Sequence, residues 1–186
     1  LAALTGVTPA TGGSHPGFGT RNALLALDGG RYLEAIAPDP AQDLAGTLGA
    51  ELAALPGPRM LTVAFAAPAL HDLAEAARAA GAAASAPISM GRTRPDGVAL
   101  AWQVLRFEDA ARGWAMPFVI DWKDTPHPSA TAPAGCALSR LVLTDPDPGS
   151  LSALLAAIGA QVEVARGLAT GAVAELDTPN GRVILT

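Results

Sequence analysis

The chain is poor in the residues that announce most biochemical roles. It has one cysteine, Cys136, one lysine, Lys123, one tyrosine and three histidines in 186 residues. One cysteine excludes an internal disulfide framework and fits the reducing cytoplasm expected for this protein. A single lysine, scattered arginines and a formal net charge of −5 exclude the clustered positive surface that nucleic acid requires. No run reaches the ~18 apolar residues of a membrane span, because Pro68, His71 and Gln103 interrupt the best candidates. No signal-peptide pattern opens the sequence, which begins at Leu1. Aromatic residues are 4% and charged residues 16%, yet half the chain is hydrophobic and alanine fills the difference. That apolar content excludes a disordered chain and supplies a sizeable core.

What is present repeats. Three alanine- and leucine-rich helical patterns close on Gly6, Gly81 and Gly159, which lie 75 and 78 residues apart. The second (68–81) carries Leu70, Leu73, Ala74 and Ala77 on one face, and the third (149–159) carries Leu151, Leu154, Leu155 and Ile158. Each glycine suits the left-handed position just past a helix end. After each come extended segments and turns, including Asp28-Gly29-Gly30 and Pro179-Asn180-Gly181, which are hairpin signals. Strand-like runs at 60–66 and 138–144 precede the second and third helices. The expected fold is therefore α+β: repeated β-α-β-β-β units forming curled mixed sheets around a cleft, with helices outside. The first copy lacks its opening strand and most of its helix. Residues 1–123 form two paired units, 124–135 (rich in proline and small polar residues) a linker, and 136–186 a third unit on the same structure.

The strings His15-Pro16-Gly17-Phe18-Gly19-Thr20-Arg21-Asn22, Arg31-Tyr32-Leu33-Glu34, Arg94-Pro95-Asp96-Gly97 with Trp102, Pro117 to Trp122, and Thr125-Pro126-His127-Pro128 resemble a glyoxalase-like domain of the vicinal oxygen chelate superfamily. The resemblance spans nearly the whole chain. It implies paired units whose sheets curl around a cleft, a divalent metal held from the first and last strands of each unit, and isomerase, lyase or ring-opening chemistry. Some members of that superfamily only bind and sequester a drug.

Aligning the last strands of the units places Glu34 and Asp121 two steps after equivalent apolar residues, with Leu185 in the third copy. By strand alternation the two carboxylates are expected to face each other across the cleft, as a divalent-metal pair or as a general base beside a protonated acid. The opening strand of the second unit offers no donor better than Thr62, so the ligand set is incomplete. His15, Arg21 and Asn22 in one glycine-bearing loop and Arg94 in the equivalent loop are expected to anchor an anionic group. The other reading has them tie down hairpins. Trp102 and Trp122 stack on a ligand or fill core, and His127 lids the cleft or sits on the surface. Two functional readings stand: an enzyme in which Glu34 or a metal acts on a small oxygenated substrate, and a binding protein that performs no chemistry. The third unit serves packing or pairs two copies into a homodimer.

Overall fold

The structure, a computed structural model, describes residues 1–93 and 97–186. It is a mixed α+β fold of open, curled sheets. A short helix α1 (Ala2–Thr5) leads into a three-stranded antiparallel meander, β1 (Ala10–His15), β2 (Thr20–Leu27) and β3 (Arg31–Pro38). The Asp28-Gly29-Gly30 turn closes β2 on β3 as its sequence predicts. Helix α2 (Leu48–Ala53) packs on β3.

The second unit follows the expected order: β4 (Ala64–Ala66), α3 (Leu70–Ala79), β5 (Ala83–Ala84), β6 (Ile88–Thr93), β7 (Ala99–Leu105), β8 (Phe107–Glu108) and β9 (Phe118–Asp121). Its sheet runs β4-β9-β7-β6, so the opening strand pairs parallel with the last. The small ribbon β5-β8 stands apart. The third unit has β10 (Ala137–Asp145), α4 (Pro148–Ala157), β11 (Glu163–Arg166), β12 (Gly171–Thr178) and β13 (Gly181–Leu185). Its strand order is β11-β10-β12-β13, with the opening strand inside the sheet. The two complete copies therefore share element order but not strand order. In the third, a short return from α4 sets β11 parallel beside β10. In the second, the chain leaving α3 first pairs with β8 and reaches the sheet only at its far edge.

Gly6, Gly81 and Gly159 adopt φ of +76°, +87° and +72°, the left-handed conformation predicted for all three. Asp147 caps α4 by accepting from the Ser150 amide, and Pro148 occupies the first turn, where its missing N–H costs nothing. Leu70, Ala74 and Ala77 of α3 meet Leu151, Leu154 and Leu155 of α4 in one core with Leu105, Val119, Leu143 and Ala172 from the two four-stranded sheets. The opposite face of β7 and β9 carries a separate cluster of Leu100, Trp102, Val104 and Ile120. Below the meander, Leu25 and Leu27 pack on Cys136 and Leu176, with Leu33, Val183 and Leu185 beside them. Leu185 thus serves packing.

Residues 124–135 are built into the fold as a strap. Pro128 is buried in a 3-10 turn, and Pro133 accepts a hydrogen bond from the Ala26 amide at 2.8 Å. Leu27 bridges to Cys136, and the Leu138 amide donates to Asp28. A second tie joins the turn before β9 to the third unit. Arg112 donates to both oxygens of Asp145 at 2.8 Å and to Asp109 at 2.6 Å, and Asp145 is 1% exposed. Among the described residues no helix is long and apolar enough to cross a membrane.

Candidate functional site

Alternation along the meander sorts its polar residues. Directly opposed positions share a face, and β2 and β3 oppose Leu24 to Glu34 and Ala26 to Tyr32. Asn22, Leu24, Tyr32 and Glu34 therefore lie on one face, joined from β1 by His15 opposite Thr20. Asn22 Nδ2 donates to Glu34 Oε1 at 2.7 Å, and His15 Nδ1 lies 3.0 Å from Thr20 Oγ1. His15 Nε2 stands 3.8 Å from the same Glu34 oxygen, outside hydrogen-bond distance. Glu34 keeps a third of its side chain exposed, so a carboxylate oriented at one oxygen meets solvent.

This face looks onto the second sheet. Tyr32 meets Trp122 edge-on at 6.3 Å between ring centroids, and Trp122 lies 5.1 Å from Trp102. From the strap, the His127 ring closes on Tyr32 at 5.3 Å and on Trp122 at 6.0 Å. Arg92 of β6 reaches across to donate to the Gly12 carbonyl. A cavity of about 60 Å³ remains beside this contact, lined by Gly12, Leu24, Arg92, Leu100, Pro126 and Pro128 among others. A larger groove of about 710 Å³ lies elsewhere, between α2, residues 59–61 and the third sheet, and contains none of the predicted site residues.

Burial sets the protonation states. It holds the His15 pKa below the ordinary 6.5, with Glu34 opposing the shift and Arg92 adding to it, so the imidazole is neutral at neutral pH. Burial, then the Glu34 charge, raise the Tyr32 pKa, and its hydroxyl stays protonated. Two buried polar atoms of the same wall find no hydrogen-bond partner among the described residues, Asn22 Oδ1 and Trp122 Nε1. Tyr32 lies close enough to the Trp122 indole to feel its N–H, but outside hydrogen-bond geometry. Buried polar groups are paired in the great majority of cases, so these two atoms in one wall are exceptions.

Glu34, His15, Asn22, Trp102, Trp122 and His127 of the predicted set come together here. Asp121 does not. Val119 points to the helix-side core, whereas Phe118, Ile120 and Trp122 pack with Trp102, so alternation turns Asp121 away from the Glu34 wall. Its carboxylate is held by Lys123, through Nζ at 2.7 Å and the backbone amide at 2.9 Å, which lowers its pKa. The alignment of last strands is one residue out, and a one-residue slip reverses every side chain. Trp122, not Asp121, meets the Glu34 wall. Arg21 is exposed on the face opposite Asn22, where its charge acts on Asp39. Arg94 lies outside the described residues.

The donors present do not fit a chelated divalent cation. Among the described residues no three His, Cys, Asp or Glu side chains converge, and Glu34 has only His15 nearby. Tyr32 and Arg92 were missed by sequence reasoning. Tyr32 sits two residues before Glu34, hence on its face, and Arg92 stands two before the Arg94 that was singled out. Gly12 is a third omission. It falls at the β1 bulge between Thr11 and Gly13, and a Cβ there would collide with the Asn22 amide. Gly12→Ala is expected to cost about 1–3 kcal/mol, as overpacking does, and to detach Asn22 from Glu34. Urea unfolding checks the first effect and the Asn22 side-chain amide resonances the second.

A family model described as a glyoxalase-like domain matches residues 1–159. Among solved structures the chain is similar to a hypothetical protein from Staphylococcus aureus, at 15% identity and a TM-score of 0.64. That likeness covers 96% of this chain and 75% of the other and concerns the fold alone. No curated protein matches the chain.

Proposed function

The chain belongs to the glyoxalase-like domain family of the vicinal oxygen chelate superfamily, and on that premise we propose that its cleft binds a small oxygenated molecule at Glu34. The observation that carries this reading is the oriented carboxylate in a wall that holds two unpartnered buried polar atoms. Asn22 fixes one Glu34 oxygen, which leaves the other to accept a hydrogen bond or a proton from the ligand. Trp122 Nε1 is a donor and Asn22 Oδ1 an acceptor, so the complementary ligand carries both kinds of group on an apolar, planar body. Tyr32, Trp122 and His127 supply the surface for that body.

The chemistry this set supports is proton abstraction next to a carbonyl. Glu34 takes the proton from carbon, the electron pair moves to the carbonyl oxygen, and the Arg92 charge favours the oxyanion. Return of the proton to the former carbonyl carbon of a hydroxy-carbonyl compound, with the hydroxyl proton passing to the oxyanion, completes an isomerisation, and collapse of the oxyanion with loss of a leaving group from the β-carbon completes an elimination.

Thermal-shift measurements against hydroxy-carbonyl compounds, oxygenated acids and aromatic drugs test the site. A compound at 100 times its dissociation constant adds about 2.7 kcal/mol, and Glu34→Gln is expected to abolish that gain while the fold persists. Absence of any hit, or hits indifferent to Glu34→Gln, would discard the site. Incorporation of solvent deuterium into a bound compound separates the enzyme from the binder.

A further inference from the structure

The space left beside the Glu34 wall is small. The cavity at Arg92 holds about 60 Å³, whereas sites for small organic molecules run to about 300–1,000 Å³. A ligand with a planar body therefore enters only if one wall moves. The walls differ in how they are held. Gly12 belongs to β1, Leu24 to β2, Arg92 to β6 and Leu100 to β7, all paired within sheets. Pro126 and Pro128 come from the strap, which belongs to none of the sheets.

The strap is also thinly anchored. Among the described residues, one apolar cluster ends at Trp122, another takes in Cys136, and none draws on the residues between them. Of residues 124–135, Pro128 alone is buried. The ties to the sheets are polar. The Thr125 hydroxyl donates to the Ala101 carbonyl at 2.8 Å and accepts from the Ala101 amide at 3.0 Å, both in an exposed position. Near the other end the Pro133 carbonyl takes the Ala26 amide. Because β1 begins opposite Leu24, this carbonyl fills a slot that β1 leaves open. Between the ties, the His127 ring rests on Tyr32 and Trp122. Segments with few buried apolar contacts and exposed hydrogen bonds open at free energies below that of global unfolding.

We propose that residues 124–135 are the lid of the Glu34 cleft, lifting to admit the ligand and closing His127 onto Tyr32 and Trp122 behind it. Lifting uncovers Leu24 and Tyr32 together, and Glu34 stands directly opposite the first and two residues from the second. What the lid admits rests on the function proposed for Glu34; the motion stands on the anchoring alone.

Native-state amide exchange of the whole protein tests the motion. The Ala26 amide faces the strap, and by strand alternation that of Leu25 faces β3. Ala26 is expected to exchange at least about tenfold faster than Leu25, with little dependence on low urea concentrations, whereas Leu25 follows global unfolding. Thr125→Ala should speed Ala26 exchange by about tenfold, the effect of losing its hydrogen bonds to Ala101. Thiol labelling supplies a second measurement. In a Cys136→Ala background, the thiol of Leu24→Cys should be modified at a rate that Thr125→Ala raises by a similar factor. Circular dichroism checks that the variants are folded, and the urea dependence of Ala26 in the parent needs no variant. The lid is overturned if Ala26 and Leu25 share one urea dependence, or if Thr125→Ala leaves either the Ala26 exchange or the labelling rate unchanged. Neither measurement uses a ligand. A thermal-shift response lost in Glu34→Gln beside a strap that never lifts discards the lid alone, and a lifting strap without such a response discards the Glu34 site alone.

Discussion

Arg112→Ala is expected to destabilise the protein by about 3–5 kcal/mol, the cost of stranding a buried charge whose partner has been removed. For a chain of this length that corresponds to roughly 6–20 °C in Tm. Asp145 is the group left behind. It is 1% exposed and accepts from Arg112, from Thr170 Oγ1 at 2.6 Å and from the Asp147 amide at 2.8 Å. The Arg112 hydrogen bonds, more than any other contact, hold its pKa at about 2 against the ordinary 3.8. A carboxyl shifted downward binds fewer protons folded than unfolded, so its contribution is complete above the ordinary value and fades as the pH falls towards 2. At neutral pH that contribution is on the order of 2 kcal/mol. Urea midpoints measured from neutral to acid pH should therefore show a stability that declines on the acid side in the parent and declines much less in Arg112→Ala. A loss below about 1 kcal/mol would mean that the pair behaves like a surface ion pair and does not staple the third unit to the second.

Leu25→Ala is expected to cost about 2–5 kcal/mol, in the range of leucine truncations in well-packed cores. Leu25 is fully buried where the meander sits on Leu27, Cys136 and Leu176. The same strand presents Asn22 and Leu24 to the cleft, so a void behind it loosens the floor of the Glu34 site. Amide exchange along β2 should accelerate in this variant together with the drop in global stability. Ile184→Ala, at a position 59% exposed on β13, should change stability by no more than about 0.5 kcal/mol. Equal effects for the two would contradict the packing of this core.

The features legible in the sequence were those written locally. The glycines after the helices, the leucine stripe of α4, the proline and aspartate at its start and the Asp28-Gly29-Gly30 turn are each set within a few residues, and the chain follows them. Glu34, Asn22 and His15 lie together because a hairpin joins them over a short stretch. Long-range register was not legible. Nothing near Asp121 records that β9 turns Val119 inward, so a matching spacing set the wrong residue opposite Glu34. The strand order of the third unit depends on the length of the return from α4, to which the hydrophobic pattern is blind. Arg112 and Asp145 lie 33 residues apart, and only the folded chain shows that they meet. The strap read as a linker because proline and small polar residues signal irregular backbone, which is equally the composition of a segment pinned through its carbonyls.

That strap also governs the order of assembly. The Ala26 amide waits for a carbonyl at residue 133, and Leu27 for Cys136. Contacts of such long sequence separation slow folding, since the intervening chain must be ordered before they return anything. During synthesis the meander stays half-clothed until the strap has followed it. The meander is thus locked by a segment made well after it, and the carboxylate it carries takes its final position only once the strap is in place.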